Sequence, residues 1–223
     1  ALHVLGSFGE HVLAHVPNLP RFSHTCVQAY LLHADAAVRA MAASTTVRLV
    51  ACMMEVDDTD EAVSSSASFF RTPLEPWSRL RGDSSALVKP EWCTVRKQLL
   101  DEVLTVIVCE PECATRLVVL RALAAAESAS ESLSLHLCEP DVVQTLLGAL
   151  DDVNVDVRLC TVKLLNRLAK KDPAGILPGL RSLLSSLPTK LRSALDHGRR
   201  ARAAQLLGAL GTTSPDLFSP YAE

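Results

Sequence analysis

DDVNVDVRLCTVKLLNRLAKKDPAGILPGLR, residues Asp151 to Arg181, decides the fold, because the rest of the chain reads as copies of it. Moved forward by about 42 residues, the stretch lands on itself. Pro173 and Pro178 fall on Pro215 and Pro220, Arg158 on Arg200, and Leu164, Leu165 and Leu168 on Leu206, Leu207 and Leu210. Moved back by the same amount, Arg158 falls on Arg116, Leu159 on Leu117, Val162 on Leu120 and Leu165 on Leu123. A period of roughly 40–47 residues with two helices per unit describes an all-α solenoid, a superhelix of antiparallel helix pairs.

The repeat has a physical reason. A single pair of helices has an apolar face too large to cover by itself, and stacking the next pair at a fixed register buries it. Composition agrees with helices packed through aliphatic side chains: 48% of the 223 residues are apolar, 21% charged and only 4% aromatic. The formal net charge of −3 gives no long-range attraction to nucleic acid, which calls for a strongly basic surface. Seven cysteines, an odd number scattered through apolar helical contexts, read as small buried hydrophobes in a reducing compartment and not as a disulfide framework. The expected location is therefore intracellular, in the cytoplasm. No signal-peptide pattern opens the chain, and no spanning helix is read from it. The start without Met and the end at Glu223, where a new unit opens, read as a piece cut from something longer.

In chain order, one HEAT-type segment occupies residues 1–223. Residues 1–8 end a preceding helix, and 18–54 form the first repeat, with its turn at Ala34-Asp35. Residues 57–90, acidic and serine-rich with Pro73, Pro76, Gly82 and Pro90, read as one inserted flexible loop. The second repeat, 91–126, opens with an amphipathic helix: Thr94, Lys97, Gln98, Asp101, Glu102 and Thr105 lie on one face, Val95, Leu99, Leu100, Val103, Leu104 and Ile107 on the other. A serine-rich connection over 127–134 leads to the third repeat, 139–170, opened by Pro140 after Glu139. The fourth, 172–211, starts with Asp172 as N-cap and Pro173 at the first helical position; its first helix runs to about Leu187, bent at Pro178. Residues 214–223 begin another.

One pattern marks the start of each second helix. An acidic or amide residue stands four positions before an arginine: Asp35 and Arg39, Glu112 and Arg116, Asn154 and Arg158. Such an arginine can reach a carboxylate of the adjacent repeat and so form a ladder, each exposed member contributing about 0–1 kcal/mol.

Candidate chemistry is sparse. His11 and His15 have the spacing of two zinc ligands on one helix face, but only Glu10 or His24 stands near enough in sequence to join them, and a polar helix end is the simpler reading. Cys109 and Cys113 lack the second pair that a structural zinc site needs. No catalytic, cofactor-binding or metal-binding set is assigned. Arg81-Gly82-Asp83 matches an adhesion tripeptide only by coincidence in an intracellular setting, and the serines at 64–68 are candidate phosphorylation acceptors. Lys190, Arg192, Arg199, Arg200 and Arg202, around His197, form one concentrated basic patch suited to an acidic partner or lipid headgroups; a solvated turn between helices is the plainer alternative. Nothing matches a nucleophile elbow, a phosphate-binding glycine loop or a kinase catalytic loop.

The order of these residues resembles one family. Ala149-Leu150-Asp151-Asp152 through Arg158, then Leu165-Asn166-Arg167-Leu168, then Asp172-Pro173-Ala174 with Leu177-Pro178 and Leu180-Arg181, is similar to the HEAT solenoid of the target-of-rapamycin (TOR) serine/threonine kinases, of the phosphatidylinositol-kinase-related family. The likeness continues through Leu206-Leu207-Gly208 and Ser214-Pro215 to Pro220-Tyr221, and upstream through Leu5-Gly6-Ser7-Phe8. It is weakest over 57–90 and 127–138. The resemblance implies a non-catalytic scaffold segment of a kinase acting in growth and nutrient signalling. ATP and Mg would belong only to a downstream kinase domain. The partners implied are Raptor/Rictor-like and LST8-like subunits, with a possible homodimer of the parent. A free-standing HEAT adaptor, such as a phosphatase scaffold or a nuclear-import-receptor-like protein, is the alternative.

Overall fold

A computed structural model describes residues 25, 27–66, 85–193 and 196–218, with side chains for 25, 27–54, 94–192, 196–215, 217 and 218. The protein is all-α, with no strand among the described residues. Its named helices are α1 (Ala36–Ser66), α2 (Ser85–Cys109), α3 (Cys113–Ala129), α4 (Glu131–Leu137), α5 (Pro140–Gly148), α6 (Val155–Lys171), α7 (Pro173–Ser193) and α8 (His197–Thr213). Short 3₁₀ turns cover Ala149–Asp151 and Pro215–Leu217. The chain divides into two compact units, Ala1–Val103 and Leu104–Glu223, and the bounds of α2 include the division.

In the first unit α1 buries Ala42, Ala43, Val47, Leu49, Val50, Met53 and Met54. The stretch Ala36–Met54 is long and apolar enough to cross a membrane by length and composition alone, but 56% of it is buried inside the fold. It also carries Arg39 and Arg48, so it reads as a core helix. In α2, Leu99, Leu100, Val103, Leu104 and Ile107 are buried, while Thr94, Lys97, Gln98, Asp101 and Thr105 are exposed, as their spacing predicts.

The second unit is a stack. α6 packs against α3 on one side and α8 on the other; α7 packs on α5, α6 and α8. Flanked on both sides, α6 buries Val157, Val162, Leu164, Leu165, Leu168 and Ala169. Each fully buried leucine of this kind contributes about 1.5–3 kcal/mol relative to exposure. α7 presents Ile176, Leu180, Leu184 and Leu187, a stripe at helical spacing. Its Gly179 faces Leu147 of α5 so closely that a Cβ there would lie 2.6 Å from Leu147 Cδ1, so a small residue permits this packing.

Helix starts follow their capping chemistry. Glu139 precedes Pro140 at the start of α5. The side chain of Asn154 accepts from the amides of Asp156 and Val157, that of Asp172 from Gly175, and that of Asp196 from Gly198.

Three expectations need correction. The reading of 57–90 as a loop fails at both ends, because α1 continues to Ser66 and α2 starts at Ser85; 67–84 lie outside the described residues. No proline or glycine interrupts 36–66, so acidic and serine residues extend the helix instead of ending it. The connection over 127–134 is also helical: α3 reaches Ala129, and Ser130 caps α4 by accepting from the Leu133 amide at 3.3 Å. Finally, α7 runs past Leu187 and Pro188 to Ser193, with Pro178 and Pro188 both inside it. The hydrogen bonds these prolines omit, to Ala174 and Leu184, are lost singly, and the apolar stripe spans both positions. The helix end read at 1–8, and His11, His15, Glu10, His24 and Arg81-Gly82-Asp83, lie outside the described residues, as do the side chains of the serines at 64–68.

Candidate functional site: the arginine steps of the second unit

The connection between paired helices leaves backbone carbonyls without a helical partner, and such groups must find donors. The arginine in the first turn of each second helix supplies them. Arg39 Nη1 donates to the carbonyls of His33 and Ala34, at 2.8 and 2.9 Å. Arg116 Nη1 donates to Glu110 and Pro111, and Arg158 Nη1 to Asp152 and Val153, in each case six and five residues back. The residue four before the arginine plays another part. Asp35 accepts from the Ala37 amide and Asn154 caps α6, whereas Glu112 makes no side-chain capping bond.

With one edge of the guanidinium held, the rest reaches the next repeat. Arg116 Nε and Nη2 form a two-pronged pair with Asp152 Oδ2 and Oδ1 at 2.7 and 2.9 Å. The side chains are 12% and 8% exposed, so this member of the ladder is not one of the exposed pairs to which the small contribution applies. Asp152 is itself fixed by accepting from the Asn154 amide at 2.7 Å. Its carboxylate pushes the Arg116 guanidinium above its ordinary value, against the opposing effect of burial. Arg158 is only 3% exposed, and its Nη2 donates to the neutral Gln205 side chain of α8. Burial first, and then the charge of Arg202, pushes Arg158 below its ordinary value.

The far ends of the same helices repeat the contrast. Between α3 and α6, the buried Glu127 carboxylate meets Arg167 Nε at 3.1 Å and Lys171 Nζ at 3.3 Å, and Arg167 Nη2 donates to the Ala124 carbonyl. The Arg167–Glu127 approach is a charge contact whose N–H direction falls outside hydrogen-bond geometry. Between α6 and α8, Asn166 donates to the Thr213 carbonyl and accepts from Ser214 Oγ. Both groups are neutral.

The basic patch sits beside the neutral step. A cavity of about 710 Å³ is lined by Leu150, Asp151, Arg158, Leu187, Lys190, Asp196, Arg199, Arg202, Ala203 and Leu206. Lys190 lies 3.3 Å from Asp151, and Arg199 4.0 Å from Asp196, all four being partly or well exposed. Arg200 turns to His197 at 2.7 Å, and Arg192 is exposed on α7; neither lines the cavity. The structure thus brings Lys190, Arg199 and Arg202 together and adds Arg158, which sequence reading had placed only in the ladder. Asp152, Gln205, Glu127, Asn166 and Arg167 were not singled out as functional residues; their separations from their partners, 36 to 48 residues, close to one repeat, were the available signal.

No group of three or more His, Cys, Asp or Glu side chains suited to a metal ion occurs among the described residues. No disulfide involves Cys52, Cys109, Cys113, Cys138 or Cys160 among the described residues. Burial pushes Cys138 and Cys160 upward, which keeps them protonated and poor nucleophiles at neutral pH.

No protein-family model matches the chain. Individual relatives do. It is 28% identical over 126 residues to the serine/threonine-protein kinase TOR of Arabidopsis thaliana, covering 56% of this chain and 5% of that protein. It is 35% identical over 85 residues to the serine/threonine-protein kinase TOR of Oryza sativa subsp. japonica, covering 38% and 3%. It is 24% identical over 221 residues to the serine/threonine-protein kinase mTor of Drosophila melanogaster, covering 99% and 8%. The chain is therefore TOR-like in sequence, and it corresponds to a small fraction of the length of these relatives.

Proposed function

We propose that this TOR-like chain is a non-catalytic scaffold segment of a TOR-type serine/threonine kinase, its helix pairs being HEAT repeats. The observation that carries this reading is the similarity to a TOR kinase over 99% of the chain. The arrangement of the second unit supports it: polar side chains hold α3, α6 and α8 in register at both ends of each step. A stack so fixed serves to hold surfaces at set spacings, which is what a scaffold does.

In this reading catalysis, with ATP and Mg, belongs to a kinase domain elsewhere in a longer polypeptide acting in growth and nutrient signalling. The segment contributes to assembly with Raptor/Rictor-like and LST8-like subunits and to a homodimer of the parent, in the cytoplasm. The test is the sequence of the intact native polypeptide. A chain many times longer, with kinase glycine-rich and catalytic-loop motifs, is expected. A polypeptide without a kinase domain would overturn the proposal and leave a HEAT adaptor in its place.

A further inference from the structure

Arg158 and Arg202 present an electrostatic problem that the chain's own described residues do not solve. Arg158 is buried, and its inter-repeat partner, Gln205, is neutral. Arg202 is half-buried, and among the described residues it makes no hydrogen bond or ion pair. The Arg202 charge adds to burial in disfavouring the charge of Arg158. Asp152, whose charge favours that of Arg158, is already engaged by Arg116 on both oxygens, and the two carboxylates on the cavity wall, Asp151 and Asp196, stand against Lys190 and Arg199, which leaves Arg158 and Arg202 in excess. A buried guanidinium beside a second, half-buried one, with no free carboxylate between them among the described residues, calls for an anion.

Both side chains line the same cavity, and its size limits the anion. About 710 Å³ far exceeds the space of a single phosphate and lies in the range of small-molecule sites. Lys190 and Arg199 stand on its wall, tied only by exposed pairs at 3.3 and 4.0 Å, which cost little to break. Buried Leu150, Leu187 and Leu206 close it from the core side. A carboxylate brings one negative charge for the two guanidiniums that line the cavity, whereas a phosphate brings nearly two and three acceptor oxygens. Further phosphates have Lys190 and Arg199 to meet.

We propose that this cavity, where the Ala149–Asp151 turn, α6, α7 and α8 meet, is a binding site for a small oligophosphate, gripped by Arg158 and Arg202 with Lys190 and Arg199 as outer contacts. The site stands independently of the scaffold reading. It is a place where a soluble metabolite of high negative charge can stiffen the α6–α8 step by neutralising it.

The test is hydrogen exchange on the full-length protein with and without tripolyphosphate, read on peptides covering residues 196–206. Local readout separates this site from any other phosphate site in the same protein. Slower exchange there is expected in the native protein. With Arg202→Gln, tripolyphosphate affinity read from that protection should fall about tenfold or more, since one charged donor group is lost. Arg202→Lys should retain part of it, and Arg192→Gln, on an exposed side chain outside the cavity, all of it. Because Arg202 has no hydrogen-bond or ion-pair partner among the described residues and its charge disfavours that of Arg158, Arg202→Gln should make exchange without ligand no faster. No protection in the native protein, or undiminished protection in Arg202→Gln, would overturn the proposal. So would equal protection by orthophosphate at the same concentration, or protection by a phosphoserine peptide alone, which would make a modified partner protein the occupant.

Discussion

The two steps of the stack use one arginine motif and end differently. From α3 to α6 the contacts are charged at both ends: Arg116 with Asp152, and Glu127 with Arg167 and Lys171. From α6 to α8 they are neutral on the receiving side: Arg158 meets Gln205, and Asn166 meets Thr213 and Ser214. In both steps the arginine first satisfies the carbonyls of its own connection, so that role is common to the repeat. What differs is whether the next repeat returns a negative charge. Where it does, the step is self-sufficient. Where it does not, positive charge is left over beside a cavity, and the step has a use for a ligand.

The largest effect expected from breaking this contrast is at the charged step. Arg116→Ala strands a carboxylate that is 8% exposed and frees two connection carbonyls. The free energy of local opening in α6, measured by native-state hydrogen exchange, should fall by about 3 kcal/mol. Arg116→Lys keeps the charge but not the two-pronged geometry, and should recover only part of that loss.

The repeat itself was legible in the sequence, and the reason lies in Leu164, Leu165 and Leu168, whose positions recur because every helix pair must bury the same face. The starts of α5 and α7 were equally legible, since Pro140 and the Asp172-Pro173 pair mark them locally, whereas the capping roles of Asn154 and Asp196 were not read from the sequence. The segment 57–66 was misread because polar composition was taken for a loop, although it holds no residue that breaks a helix. The ladder was legible only on its arginine side. Its acceptors vary in kind and place, Asp152 in a connection and Gln205 within α8, so no periodic pattern announces them. The cavity was visible only as a basic patch, because the burial of Arg158 beside Arg202 depends on how α6 and α8 pack.

A smaller effect of opposite sign should come from making the second step resemble the first. Gln205→Glu offers Arg158 the carboxylate it lacks, and should raise the local opening free energy of α8 by about 1 kcal/mol. The same change should weaken tripolyphosphate protection, because the introduced charge competes for Arg158. A rise in stability with undiminished protection would separate the two properties.

The smallest effects compare the residues four positions before each arginine. Asn154→Ala removes a side chain that accepts two amide hydrogen bonds and should cost about 1 kcal/mol at the start of α6. Glu112→Ala, at the start of α3, removes no side-chain cap and should change opening by less than about 0.5 kcal/mol. Amide exchange in the first turns of α3 and α6 reads both.

A pair of double-mutant cycles bears most directly on the difference between the steps: Arg116→Ala with Asp152→Ala, and Arg158→Ala with Gln205→Ala, each read as opening free energy in α6. The coupling expected is about 2–3 kcal/mol for the first pair and no more than about 1 kcal/mol for the second. Equal couplings, or a larger one between Arg158 and Gln205, would contradict the division of the stack into a charge-satisfied step and a step left cationic.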